Sequence, residues 1–233
     1  STYETRAEYR TASTARGTGW HQLSAEIMSA IQLLFVTEYA SFNSQSMISE
    51  GNTKFSGWSY TADISPTGQS LSDGDYSNGQ ATTSGDSTDY VSYRGIENFW
   101  GSVWEFVDGV NINNDGVSSK LYVANDYRVF ADGVTTNYSY VGNLAAADGY
   151  IKQIINTSYG FYPLTVGGAS NTYLADYYYT EFDTAPSGGW RVLLAGGNAT
   201  GGSAAGVFIA HSNTGSSSAA SVFGGRLCYI GSN

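Results

Sequence analysis

The stretch YRGIENFWGSVWEFVDGVNI, Tyr93 to Ile112, decides how the rest of the chain is read. Ile96, Phe99, Trp100, Val103, Phe106 and Val107 recur at i, i+3, i+4 and i+7, with Glu97, Ser102 and Glu105 between them. That spacing predicts one short helix with a broad apolar face. Asp108-Gly109 and Asn113-Asn114-Asp115-Gly116 supply the turn residues that would stop it. Aromatic side chains bury the largest area per residue, so the stretch is expected to nucleate the core.

Around that nucleus lie 233 residues, 15% aromatic and 13% charged, with 29 Gly. Many aromatics with few charges exclude a disordered acidic segment and point to a compact, loop-rich fold. The formal net charge is -10 and Lys and Arg are nowhere clustered, so a phosphate backbone is repelled and no nucleic-acid partner is expected. Cys228 stands alone and cannot form an internal disulfide. Neither end reads as a secretory signal and no apolar run approaches membrane-spanning length, so membrane insertion is not expected. The chain reads as a single domain over residues 1–233, the C-terminal part of a longer protein.

In chain order, Thr2 to Gly17 is polar with loosely spaced Tyr3, Ala7, Tyr9 and Ala12, which suggests an edge strand. A helix follows, its apolar stripe expected at Leu23, Ile27, Ile31 and Leu34, with Gln22, Glu26, Ser29 and Gln32 on the other side. Thr18 or Gly19 would cap it and Ser41 to Ser46 would end it. Gly51 to Tyr90 is a long Ser/Gly/Asp/Thr-rich loop anchored by Trp58, Tyr60 and Ile64, with turns at Pro66-Thr67-Gly68 and Asp73-Gly74-Asp75. Short strands are expected at Lys120 to Phe130 (unless Asn125-Asp126 makes a hairpin turn there), Val134 to Val141, Tyr173 to Thr180, Trp190 to Ala195, Ala205 to Ala210 and Gly225 to Ile230. Asp148 to Ile155 is too short to assign. The class is therefore α+β, two helices with short antiparallel strands and much irregular structure.

Three stretches carry a family resemblance. GSVWEFVDG resembles the GNVWEW-type motif of the formylglycine-generating-enzyme branch of the C-type lectin fold. SGGWRVLLAGG with the terminal GGRLCYIG is similar to the closing strands of that branch, where a GWR…GG strand leads to a G-x-R-L strand. GTGWHQLSAEIMSAIQLLFVTEYASFNSQS resembles the opening helix of its hypervariable gut-phage members, the variable proteins of diversity-generating retroelements. The resemblance implies a C-type-lectin-like, non-enzymatic receptor-binding domain on a phage tail (virion) or another displayed surface. It would meet a host cell-surface protein or glycan, in a full-length protein able to form homo-oligomers. Diversification there replaces adenines, chiefly in Asn-type codons, which cannot then become Lys, Glu, Gln, Met or Trp. Asn198 to Gly225 contains none of those five residue types.

Within that segment Gly196, Gly197, Gly206, Val207, Phe208, Gly224, Gly225 and Arg226 are expected to be scaffold. Ala199, Thr200, Gly201 and Ala204 form one candidate ligand-binding loop. Ala210, His211, Asn213, Thr214, Ser216, Ser218, Ala220 and Ser221 form the other. Loops tolerate changing volumes where a packed strand does not. Tyr177 and Tyr179 would add aromatic anchors, as paratopes use them. Against these stands a bland reading, a Ser/Gly/Ala-rich loop that contacts nothing, with the tyrosines as core.

Other chemistries are set aside. Enzymes of the formylglycine-generating branch rely on cysteines, and this chain has one. His211 and Cys228 fall in different predicted elements, which argues against a base and nucleophile pair, and neither HExxH nor CxxC spacing is present. No cofactor is expected. Asp108, Asn111, Asn113 and Asp115 offer oxygens at alternate spacing, somewhat like a Ca²⁺ loop, but lack the closing Glu and read first as turns.

Overall fold

A computed structural model describes residues 2–54, 67–72, 89–180, 182 and 188–231. The anchors Trp58, Tyr60 and Ile64 and the turn Asp73-Gly74-Asp75 lie outside them, as does Pro66. The chain is α+β and mostly sheet. Among the described residues there are three α-helices, α1 (Arg6–Thr14), α2 (Ala25–Tyr39) and the short α3 (Ser44–Met47).

The strands are β1 (Trp20–Gln22), β2 (Ser92–Tyr93), β3 (Ile96–Glu97), β4 (Trp104–Asn114), β5 (Ser119–Ala124), β6 (Tyr138–Leu144), β7 (Gly149–Thr157), β8 (Gly160–Val166), β9 (Tyr177–Tyr179), β10 (Gly189–Gly196), β11 (Gly206–His211), β12 (Phe223–Gly224) and β13 (Leu227–Tyr229). The large sheet runs β6-β5-β4-β10-β11-β9-β7-β8, with β12 beside β4. Its pairings are antiparallel except β11 with β9 and β12 with β4. The far edges nearly meet, where Ala145 N–H donates to the Pro163 carbonyl at 3.1 Å. β2 pairs with β3, and β1 with β13, in two small ribbons.

The expected helix over residues 93–112 is a correction: this stretch is two short strands, a run of turns and the central strand β4. Asn98, Gly101 and Ser102 take φ of +52°, +81° and +60°, and a right-handed helix cannot pass through such residues. β4 is covered on both faces, so ten of its eleven residues are buried and its apolar run shows no period of two. Without that alternation, a helix spacing fits by accident.

The N-terminal edge strand is likewise replaced by α1. Thr5 caps it, accepting from Glu8 N–H while the Glu8 carboxylate accepts from Thr5 N–H, a reciprocal capping box. α2 forms where expected but is capped by Ser24 and ended by Ala40 at φ +49°. Its inward face is Met28, Ile31, Gln32 and Phe35, while Leu34 is 46% exposed. Buried Gln32 donates to the Val207 carbonyl at 3.1 Å, which is how a polar residue sits on the packed side.

One apolar cluster fills the space between α2 and the sheet, including Leu23, Met28, Phe35, Phe99, Trp100, Val107, Tyr162 and Phe208. A second lies on the opposite face under α1: Tyr9, Trp104, Phe106, Val192, Leu194 and Ile209. β10 and β11 match the expected strands closely. β5 stops at Ala124, after which Asp126 caps a 3-10 turn over Tyr127–Val129. Tyr173 to Thr180 shortens to three residues, and Gly225 to Ile230 shortens to β13. β8 is a strand that the expected set lacks, and β7 is the segment left unassigned.

Candidate functional site

α1 is bolted to the sheet by charge. Arg6, fully buried, donates through Nε to Asp132 at 2.8 Å, through Nη1 to the Val110 carbonyl at 2.5 Å and through Nη2 to Asn111 Oδ1 at 2.7 Å. Arg10 grips Asp108 with two bonds of 2.6 and 2.7 Å and reaches Asp132 at 2.8 Å. Burial works to raise the Asp132 carboxyl, but Arg6 and Arg10 hold it below the ordinary carboxylate range. The four oxygen donors considered for Ca²⁺ therefore do not form one loop. Asp108 and Asn111 are engaged by arginines, and Asp115 turns to Ser118 and to Lys120 at 2.6 Å.

Beyond α1, the same sheet face carries a line of rings. Tyr9, Phe106 and Phe223 are in contact at its buried end, with centroids 6.0 and 5.6 Å apart. His211 follows, 6.4 Å from Phe223, 4.9 Å from Trp104 and 5.9 Å from Tyr179. Tyr179 sits 4.4 Å from Tyr177, and Tyr177 5.1 Å from Tyr150. Strand alternation explains the set: Tyr178 faces the α2 side, fully buried, and sends Tyr177 and Tyr179 to the other. Tyr150 pairs directly with Tyr177 across β7 and β9. Tyr150, Tyr177 and Tyr179 are half-buried, so this end of the line is a partly exposed ledge.

Two loops flank the ledge, and both are pinned at their bases. Gly196 and Gly197 take φ of +85° and +80°, and a Cβ on Gly196 would lie 2.8 Å from the Phe99 carbonyl oxygen. In the loop they open, Asn198 Oδ1 accepts from Thr200 N–H at 3.1 Å. Ala199 N–H donates to the Ser102 carbonyl at 3.0 Å, and Gln45 Nε2 to the Gly202 carbonyl at 2.7 Å. Ser203 Oγ meets Tyr150 Oη at 2.9 Å, tying this loop to the ledge. The second loop, residues 212–222, leaves β11 through Ser212 N–H on the Tyr179 carbonyl at 2.8 Å. Val192 N–H takes the Thr214 carbonyl at 2.9 Å, and Trp104 N–H the Val222 carbonyl at 2.9 Å. Arg226 then locks the return, donating to both Glu105 oxygens through Nε and to the Glu97 and Asn98 carbonyls through Nη2.

The expected contact residues divide accordingly. Thr200 is exposed, and Gly201, Asn213, Ser216, Ser218, Ala220, Ser221, Tyr177 and Tyr179 are half-exposed. Ala199, Ala204, Ala210, His211 and Thr214 are buried, at 5, 7, 5, 9 and 8% exposure, and are corrected from display positions to supports. Ala210 and His211 still belong to β11, and Ala199 and Thr214 carry the pinning backbone bonds. Burial pulls the His211 imidazole down to about 4, so it is neutral at pH 7, and among the described residues its Nδ1 has no hydrogen-bond partner. Tyr150 and Ser203 are ledge residues that sequence reasoning missed. Nothing local signals that β7 pairs with β9.

A cavity of about 680 Å³ lies elsewhere, between α2, residues 96–105 and residues 224–228. Of its charged lining groups, Glu105 is committed to Arg226, and Glu97 accepts from the Gly68 and Gln69 N–H groups at 2.6 and 2.8 Å. Cys228 also lines it, donates to the Gln22 carbonyl and is pushed up to about 11 by burial, which keeps it a thiol at neutral pH. Its cross-strand partner is His21, whose ring packs on Tyr127 at 4.9 Å. No protein-family model matches the chain, and no curated protein matches it.

Proposed function

We propose that the chain is a non-enzymatic ligand-binding domain that presents variable loop side chains around a constant aromatic ledge. The observation that carries this reading is the pairing of two loops, each pinned through its backbone, on either side of Tyr150, Tyr177 and Tyr179. Pinned backbones with half-exposed side chains allow residues to change without moving the frame. The protonated, hydrogen-bonded Cys228 and the committed Glu97, Glu105 and Arg226 favour binding over catalysis.

The finer reading follows the sequence resemblance: a C-type-lectin-like domain of a diversity-generating retroelement, displayed on a phage tail or similar surface toward a host-surface protein or glycan. The GWR strand β10 and the Gly225-Arg226-Leu227 return frame the two loops, in keeping with that resemblance. Small loop residues give weak single contacts, so repeated copies in a homo-oligomeric fibre would supply the avidity. The direct test is a library varied at Thr200, Asn213, Ser216, Ser218 and Ser221, displayed and selected on unrelated targets. Binders that keep the parent's melting temperature are expected. A library whose members mostly unfold, or that yields no binder on any target, overturns the reading.

A further inference from the structure

We propose that the cavity beside α2 is a slot for an extended, uncharged peptide segment of a partner protein, which adds a strand to the free edge of β13. The lining points to a main chain as the occupant. Residues 95–98 on one wall and 224–228 on the other border the cavity, each as an unbroken run. Neighbouring side chains of an extended chain point to opposite faces, so a wall made by a strand's face would show every second residue. Unbroken runs mean that both segments stand edge-on, with their main chain toward the space.

The pairing of β1 with β13 identifies the main-chain groups left over. Leu23 N–H donates to the Arg226 carbonyl at 2.7 Å and Ile230 N–H to the Gly19 carbonyl at 2.8 Å, so residues 226 and 230 turn their main chain to β1. By alternation Cys228 does the same, and Leu227 and Tyr229 turn theirs away. No hydrogen bond joins the N–H and C=O groups of Leu227 and Tyr229 to any described residue. On the facing wall the Glu97 and Asn98 carbonyls already accept from Arg226 Nη2, at 2.7 and 3.0 Å. One edge is therefore open, and donors and acceptors repeating at strand spacing are matched by another extended main chain.

The rest of the lining sets the side-chain chemistry. Leu23, Ile27, Ile31, Ile96 and Val103 make the slot apolar. Its ionised groups are matched, Glu105 to Arg226 and Glu97 to the Gly68 and Gln69 N–H groups, so a charged side chain would find its counter-charge taken. The volume, about 680 Å³, holds a large aliphatic or aromatic side chain with the main chain on either side of it. Leu227 and Tyr229, 42 and 58% exposed, add apolar surface that the new strand would cover. A second copy joined edge to edge through the three residues of β13 would leave the cavity unfilled, and so small a contact falls short of what a stable dimer buries.

The experiment pans the intact chain against a display library of random peptides, and titrates synthetic copies of those selected. They are expected to share one bulky apolar residue and to bind equally at low and high salt. Methylating the peptide's main-chain nitrogens one at a time tests for strand addition. Alternate positions should weaken binding about tenfold, the worth of one lost hydrogen bond, and the positions between them should have little effect. Cys228 locates the site, because it lines the cavity and is the one cysteine of the chain. Saturating peptide should slow its alkylation severalfold. Peptides that bind without protecting Cys228, methylation effects without alternation, or a library that yields no binder each overturn the inference. A solution dimer that excludes the peptides overturns it in favour of a second copy.

Discussion

The two faces of the large sheet are closed by different means. On the α2 side the seal is mainly apolar, with Phe35, Trp100, Tyr162 and Phe208 buried in one cluster and Gln32 as a hydrogen-bonded polar exception. On the α1 side an apolar cluster around Tyr9 and Phe106 is joined by ion pairs of Arg6 and Arg10 with Asp108 and Asp132, and beyond them Tyr150, Tyr177 and Tyr179 are only half-buried. An apolar seal excludes solvent wherever it reaches, whereas an ionic one is local and directional. The second kind can hold a short helix firmly over half a face and leave the remainder less tightly covered.

The sharpest way to break this contrast is to remove one member from each seal. Arg6→Ala leaves Asp132 and the Val110 carbonyl short of a partner and should cost ~3–5 kcal/mol. Phe35→Ala on the other face should cost a similar ~3–5 kcal/mol through the cavity it leaves. Acid tells the two apart. The Asp132 carboxyl is held below its ordinary value, so its contribution is present above the unfolded pKa of about 3.9 and disappears as pH falls through the folded one. Urea unfolding at pH 7 and pH 3 should show the Arg6→Ala penalty shrinking in acid and the Phe35→Ala penalty unchanged. Equal pH dependence would mean that α1 is held by packing alone.

His211 marks the border between the closed and open parts of the α1 face. With its folded pKa lowered to about 4 against about 6.5 unfolded, the unfolded chain takes up a proton the native state refuses. Native stability should therefore fall as pH drops from 6.5 to 4, by up to ~3 kcal/mol. Buried Asp176 runs the other way, because burial raises its carboxyl against the Phe208 and Ile209 N–H groups. It is common to both proteins, so the readout is the difference between the parent and His211→Asn over that pH range. The variant should lose less on acidification, and identical slopes would place His211 in water. Smaller again is Ser203→Ala, which removes the bond to Tyr150 at an exposed site and should cost ~1 kcal/mol or less. Its exchange-protection signature should be confined to residues 198–204.

How far the sequence reveals all this depends on how local the determining physics is. β10 was legible because WRVLLA pairs strong strand formers with a flanking glycine pair. α1 was legible in principle, since Thr5 and Glu8 spell a capping box, yet the polar look of Thr2 to Gly17 masked a face whose buried members are Arg6, Tyr9 and Ser13. β4 could not be told from a helix by periodicity, because burial on both sides erases alternation. The two loops lie after β10 and after β11, but Ala210 and His211, expected in the second loop, belong to β11, and which side chains point outward was not legible. Ala199 and Thr214 are turned inward by long-range backbone bonds to Ser102 and Val192. The Tyr150 contribution depends on the pairing of β7 with β9, a non-local event with no signature in either segment.

The smallest effect is the most discriminating. Ser216, Ser218 and Ser221 are half-exposed on a loop whose backbone is held by Val192, Trp104 and Tyr3 rather than by their own side chains. Replacing any of them by Asn, Ala or Tyr should move stability by no more than ~0.5 kcal/mol, the ordinary range for surface positions. Tyr placed at Ala210 or Thr214 should be costly, because there added volume meets a packed strand or the loop anchor. Thermal melts of these variants suffice. Tolerance at the serines with intolerance at Ala210 and Thr214 would draw the line between frame and display across the end of β11 and the loop that follows it, whereas uniform sensitivity would make that loop part of the core.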